Sequence, residues 1–394
     1  MMELRRYRQG DVGALARLGV AAFDSSVSDW EEMFDPEHNA RLDLEQVHVI
    51  EEDGEARASA TVLPLESFVE GVPRPMGGIS AVMVHPAYRR RGYAGELMRA
   101  VLRDMRERDV ALSLLSPFAH AFYRVFGYEL ATEAIDYRLT PSDLSTSPEQ
   151  GHLKDYREGD LPSLMEVHEA EMRRHTLSVR RSGSHWEEIL AEKDRYVAVY
   201  QRGDEVEGYI IYKISGWQEQ DPRRTLRVEE FVASTPRARE AILSFMAGFD
   251  PLAYVNGIKL STPRGEPLHP YLQSSYVKAS IDPDQMLRLV DVETALGYLE
   301  LAPEEPLVLD VRDDVMPENH GQYTAGHGKV VRGAEAEQSV SLDVRQLAQL
   351  YAGYLPVEDL ARHDLLRASS PRALRLLDSL FPVGDPWLSR PDHF

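Results

Sequence analysis

Residues 84–98 read VHPAYRRRGYAGELM. An apolar strand over Ile79–Val84 runs into a loop, His85–Tyr93, and then into an amphipathic helix over about Ala94–Arg106. A helix N-terminus presents amide hydrogens without intrahelical acceptors and a partial positive charge. Gly92 removes the side chain that would hold an anion away from the backbone. Arg89, Arg90 and Arg91 add charge where a diphosphate would lie. The stretch is therefore built to hold phosphate through main-chain amides. Neither GxxxxGK[ST] nor GxGxxG is present in it, so it is neither a Walker loop nor a dinucleotide fingerprint.

Such a loop is unexpected in a chain of 394 residues with a formal net charge of −21. The acidic excess disfavours nucleic acid as a partner and favours cationic small molecules if the charge gathers round a cleft. The same excess also serves simply to solubilise a surface. The hydrophobic fraction, 43%, is that of a globular protein with real cores. No apolar run reaches the roughly 18 residues of a membrane span. The start, MMELRRYRQG, is too polar for a secretory signal, and a cytoplasmic protein is expected. Cysteine is absent, which removes disulfides, thiolate nucleophiles and Cys-ligated metal. The histidines are scattered without metal-ligand spacing, so no metal is expected.

Outward from the loop the chain repeats itself. YRQGDVGAL from Tyr7 matches YREGDLPSL from Tyr156, each a turn and an amphipathic helix. Residues 47–62 and 196–212 both read as β-hairpins, turning at Gly54 and at Gly203. VMVHP (82–86) then matches VASTP (232–236). Two copies of one α/β domain are expected, at 1–150 and 151–285. In the second, Ile242 stands where the first has Gly92, so only the first keeps the loop. Residues 286–394 follow a different pattern. LVLDVRD (307–313) reads as a strand, SVSLDVRQLAQLYAGY (339–354) as a strand entering a helix, and ALRLLDSLF (373–381) as a helix. The final PVGDPWLSRPDHF is too rich in proline to be helical.

The strand–RxxGxA–helix–strand order resembles the Gcn5-related N-acetyltransferase (GNAT) fold. RPMGGISAVMVHPAYRRRGYAGELM, then LLSPFAHAFYRVFGYEL, a second copy without the loop and a sterol-carrier-like C-terminal domain resemble the enhanced intracellular survival (Eis) family of acetyltransferases over essentially the whole chain. The resemblance implies an α/β (α+β) protein with mixed sheets: a catalytic GNAT domain, a second GNAT-like domain and a sterol-carrier-protein-like domain. It implies acetyl-CoA as donor, amines of cationic small molecules, aminoglycosides among them, as acceptors, and a homo-oligomer, trimer or hexamer.

An acetyl thioester carries an amide-bearing arm that can pair with a strand edge. Val82, Met83 and Val84 are the backbone partners expected for it, with the Val82 amide or a neighbour at the oxyanion. The diphosphate falls to the loop and helix start, Arg89, Arg90, Arg91, Gly92, Tyr93, Ala94 and Gly95. Phe118 and Ala119 match family positions that touch the coenzyme. Tyr123 matches the family's proton donor, with Tyr128 as a rival; aromatic residues at strand ends also simply pack. The strand before the loop has no carboxylate, and the resemblance implies that the base is the terminal carboxylate, here on Phe394. His393 departs from the family pattern at a position where an acid would better suit a cationic substrate; Asp392 is the acid that can compensate, and His393 is itself a candidate base or substrate contact. Asp24 and Trp30 are placed at the acceptor cleft, Asp24 to meet an ammonium group and Trp30 as a wall; Asp24 could equally cap a helix. The alternative to an enzyme is a non-catalytic protein whose C-terminal domain holds a lipid or another apolar ligand.

Overall fold

The computed structural model describes residues 2–23, 25–216, 224–249, 254–326, 328–333 and 335–394. The chain divides into two compact units. One comprises Met1–Ala131, Gln285–Gly384 and Phe394; the other comprises Thr132–Asp284 and Asp385–His393.

The first unit begins with β1 (Met2–Arg6), α1 (Val12–Ala22) and α2 (Val27–Met33). Ser26 and Asp29 start α2 with a capping box. The expected hairpin follows as β2 (Val47–Glu52) and β3 (Glu55–Val69). Its turn uses Asp53 and Gly54, both at positive φ. Then come β4 (Val72–Val84), α3 (Tyr93–Glu107), β5 (Leu112–Leu115), α4 (His120–Arg124) and β6 (Glu129–Leu130). The apolar stripe of α3, Leu97, Met98, Val101, Leu102 and Met105, is buried against the sheet. Gly77 of β4 has no room for a side chain because Met105 fills that space.

The second unit opens with β7 (Glu133–Leu139) and β8 (Leu153–Asp155), then α5 (Leu161–Met172) and α6 (Gly183–Ala191). The second hairpin is β9 (Tyr196–Arg202) and β10 (Glu205–Ser215). It is followed by β11 (Arg224–Ala233), α7 (Pro236–Ala247), β12 (Val255–Pro263) and β13 (Lys278–Pro283). The sheet order is β13-β7-β12-β11-β10-β9-β8, over a core that includes Tyr137, Ile210, Leu226, Ile242, Met246 and Ile258.

The remaining elements return to the first unit: β14 (Met286–Leu289), α8 (Val292–Leu296), β15 (Leu307–Arg312), β16 (Gly321–Gly326), β17 (Lys329–Arg332), β18 (Gln338–Asp343), α9 (Val344–Tyr351), α10 (Val357–Arg362), β19 (Leu366–Ala368) and α11 (Pro371–Leu380). Strands β15 to β19 form a sheet in the order β17-β16-β15-β18-β19. The three C-terminal segments read from the sequence are β15, β18 with α9, and α11.

The two acetyltransferase-like sheets do not follow the sequence bounds at 150 and 285. β7 lies in the second sheet, while β14 pairs with β5 and β6 in the first, giving β1-β2-β3-β4-β5-β14-β6. Arg288 of β14 is fully buried and ion-paired to Asp313. A Cβ on Gly127 would lie 2.5 Å from that guanidinium, and Gly127 sits at φ +81°. Among the described residues no helix is long and apolar enough to cross a membrane.

Candidate active site

The site begins with a defect in β4. Ser59 of β3 opposes Met83, but Thr61 opposes Ser80, so β4 carries one extra residue at this point. Ala81 lies in this bulge at φ +49°, a backbone conformation that costs a residue with a side chain about 1–2 kcal/mol. On its other edge β4 pairs with β5 only through Met76, Gly77 and Gly78. Beyond Gly78 that edge has no strand partner among the described residues. The backbone of Val82, Met83 and Val84 is therefore open where the sequence reading needed it. Val82 and Val84 are half-buried on the α3 side, while the Met83 side chain is buried with Leu15, Leu18 and Phe34.

The loop after β4 has two residues at positive φ, Arg90 at +64° and Gly92 at +89°. Gly92 is the N-cap of α3, and no side chain caps that helix. Its first amides are left for an external acceptor. The three arginines do not act alike. Arg91 lies over the Tyr88 ring, 4.5 Å from its centroid, and 4.0 Å from Glu52. Arg89 and Arg90 make no ion pair among the described residues. Both line a cleft of about 710 Å³ with Val82, Val84, Gly92 to Gly95 and Phe118. Ala22, Phe23, Tyr88 and Phe122 also line it. The sequence reading missed these four; only the fold brings the end of α1 to this cleft. An open strand edge, an uncapped helix start and two arginines without an ion pair among the described residues, all in one cleft, fit the amide arm and diphosphate of acetyl-CoA.

The second copy lacks this feature for a different reason than the aligned residues suggested. α7 starts directly at Pro236, and Thr235 caps it by accepting a hydrogen bond from the Ala238 amide at 3.1 Å. Ile242 is not a loop residue; it is buried inside the helix. The loop is deleted rather than substituted.

At the far wall, Phe118 is 71% exposed, and Ala119 is the N-cap of α4. Phe118 and Phe122 pack on Tyr123, with ring centroids at 5.4 and 4.9 Å. Tyr123 is buried, and burial pushes its phenol up to about 12. Its hydroxyl has no hydrogen-bond partner among the described residues. Tyr128 differs: it is fully buried, and its hydroxyl meets Ser113 Oγ at 2.7 Å, which donates to the Gly77 carbonyl at 3.0 Å. Tyr128 is thus committed to the sheet, whereas Tyr123 keeps its proton and has it to give.

Asp24 lies outside the described residues. Trp30 is half-buried, and its ring occupies the space beside Gly19, near Phe23 and Phe34. It packs α2 onto α1 and is not part of the cleft lining; Phe23 takes that place.

The last residue reaches β4. A Cβ on Gly78 would stand 2.8 Å from Cε2 and Cζ of Phe394, so glycine makes room for that ring. Asp392, read in the sequence as an acid for a cationic substrate, is fully buried and bound by Arg181 at 2.7 Å. Arg181 also binds Glu230 at 2.6 Å, so Asp392 holds the tail to the second unit and is withdrawn from ligand contact. His393 Nε2 lies 3.4 Å from Asp284.

Comparison with known proteins agrees with this geometry. Residues 3–131 and 177–289, together more than half the chain, match acetyltransferase (GNAT) domain families, and residues 292–389 match the sterol carrier protein domain. A Streptomyces avermitilis protein described as an uncharacterized N-acetyltransferase is 27% identical over 81% of this chain and 82% of its own. The crystal structure of a GCN5-related N-acetyltransferase from Anabaena variabilis aligns over all of both chains with a TM-score of 0.88 at 23% identity. Eis1 from Mycobacterium abscessus aligns over all of both chains with a TM-score of 0.81 at 24% identity. GNAT domains use acetyl-CoA, and the chain is an acyltransferase enzyme. It belongs to the GNAT N-acetyltransferases, in the Eis arrangement of two acetyltransferase domains followed by a sterol carrier protein domain.

Proposed function

We propose that this enzyme acetylates primary amines of cationic small molecules, aminoglycosides among them, at the cleft of its first domain. The carrying observation is the open edge of β4 beyond Gly78, continuous with the uncapped start of α3. Acetyl-CoA supplies an acetyl thioester. The β4 edge holds its amide arm, and the α3 amides with Arg89 and Arg90 hold its diphosphate. The acceptor nitrogen bonds to the thioester carbonyl carbon as the C–S bond breaks. The Val82 amide faces the oxyanion that develops. Tyr123 gives its hydroxyl proton to the departing sulfur and regains one from solvent. The proton lost by the amine goes to the Phe394 carboxylate, directly or through water.

The acceptor class rests on charge. Glu31, Glu32 and Asp35 line a hollow of about 420 Å³ along α2, and the chain carries a net charge of −21. A cytoplasmic homo-oligomer belongs to the same reading. The test is a panel of primary amines, cationic, neutral and anionic, with acetyl-CoA and a readout of released thiol. Cationic amines should react best, and their KM should rise between low and physiological salt, because screening acts over about 10 Å at 0.1 M. Salt-independent turnover of neutral amines would overturn the acceptor class and leave the transferase intact.

A further inference from the structure

The second sheet carries a line of positive charge. Lys213 of β10 opposes Arg227 of β11, which opposes Lys259 of β12; Lys259 opposes Arg138 of β7, which opposes Lys278 of β13. Residues directly opposite one another point to the same face of a sheet. Neighbouring strands lie about 4.8 Å apart, so these cations stand in one row across five strands. Lys213 has carboxylate partners in Glu192 and Glu229. Arg227, Lys259, Arg138 and Lys278 have no ion pair among the described residues. Of the carboxylates that line the hollow beside the row, Glu229 is shared by Lys213 and Arg195, the latter at 2.6 Å, and Asp136 is bound by Arg390 at 3.0 Å.

Like charges directly opposite destabilise a sheet. A chain with 65 acidic residues has ample means to neutralise such a row, yet four of its five cations have no ion pair among the described residues. Arg138, Arg227 and Lys259 line one hollow of about 430 Å³. That volume lies within the range of roughly 300–1,000 Å³ usual for small-molecule sites. Guanidinium forks bind phosphate oxygens two at a time, and the ammonium between them adds a point charge. A long polyanion is disfavoured by the net charge of −21, which repels it everywhere beyond the row.

We propose that the second acetyltransferase-like domain, which has lost the coenzyme loop, holds a small multivalent anion of the oligophosphate type on the row Arg227–Lys259–Arg138. The hollow shares no lining residue with the coenzyme cleft, and the proposal does not rest on the acceptor assigned above.

Tripolyphosphate titrated calorimetrically into the full chain, already saturated with coenzyme A to fill the first anion site, tests the proposal. One further molecule should bind. Arg138→Gln with Lys259→Gln should weaken it by roughly tenfold or more, the scale of one lost charge-assisted hydrogen bond. Arg375→Gln, an exposed side chain on α11, should leave it unchanged. These exposed substitutions should preserve folding, and at low salt the double variant should melt above the wild type because repulsion is relieved. Tripolyphosphate should close that gap by raising only the wild type. Absence of binding beside coenzyme A, or equal binding by the double variant, overturns the proposal. Tighter capture of a single-stranded oligonucleotide or an acidic polypeptide than of tripolyphosphate overturns the small-anion assignment.

Discussion

The phenyl ring of Phe394 occupies the space that a side chain on Gly78 would fill, with 2.8 Å between its carbons and the missing Cβ. The glycine lies on β4, at the last residue paired with β5 before the strand edge opens. The ring of the final residue is thereby fixed beside the strand proposed to carry the thioester.

Gly78→Ala tests that relationship. The added methyl would also meet Leu65 Cδ1 at 2.9 Å, so ring and leucine must both shift. Each is the end of a movable side chain, and stability should fall little. Turnover should drop about 10–100-fold, the scale on which roughly ångström displacements act. Unchanged kcat, with the melting temperature also unchanged, would show that the ring position does not matter to the chemistry.

The two tyrosines should separate cleanly. Tyr123→Phe removes a hydroxyl with no hydrogen-bond partner among the described residues, so folding and coenzyme binding should hold while kcat falls about 10²–10⁴-fold. Tyr128→Phe removes the partner of Ser113 and should cost about 1 kcal/mol of stability with little loss of kcat. Burial raises the Tyr123 phenol to about 12, so this donor should stay protonated and cause no alkaline decline in kcat below about pH 11. The sign for stability follows: the folded state holds this proton more tightly, so its contribution is present below pH ~10 and lost as pH rises through about 12. Loss of turnover in Tyr128→Phe alone would reverse the roles.

The loop arginines should also differ. Arg89→Gln and Arg90→Gln should each weaken coenzyme A binding more than Arg91→Gln, whose side chain is held by Tyr88 and Glu52. Gly92→Ala meets no atom within 4 Å, yet its φ of +89° penalises any side chain, by about 1–2 kcal/mol. Calorimetric titration with coenzyme A ranks all four. Equal losses at Arg89, Arg90 and Arg91 would mean that the loop rearranges on binding.

The loop itself was legible because everything it needs is local: a strand, an arginine run, a glycine and a helix start. The hairpins at Gly54 and Gly203 were legible for the same reason. The exchange of β7 and β14 between sheets was not, because strand pairing over more than a hundred residues leaves no local pattern. Asp392 was misjudged on the same ground; Arg181, its partner, is 211 positions away. The Gly77-Gly78 pair was a usable signal, since glycine inside a strand marks close approach of another group. One glycine admits Met105 and the other Phe394. The cationic row could be seen only once five strands were in register.

The final prediction concerns the proton acceptor. The Eis resemblance assigns it to the Phe394 carboxylate, and extending the chain beyond Phe394 would convert that group into an amide. A short Gly-Ser extension should abolish most turnover while leaving coenzyme A binding intact, because the β4 edge and the α3 start are untouched. The same extension at the N-terminus should do nothing. His393→Ala is the control, since a histidine base would make that change the damaging one; its ring faces Asp284 at 3.4 Å. Reactivity toward a small diffusible base separates chemistry from displacement. If the carboxylate only takes a proton, formate or acetate in the assay should restore part of the lost rate to the extended protein. If the extension instead pushes the Phe394 ring off Gly78, no added base should help, and the defect should match that of Gly78→Ala. Full activity of the extended protein over the whole pH range would place the base elsewhere in the cleft.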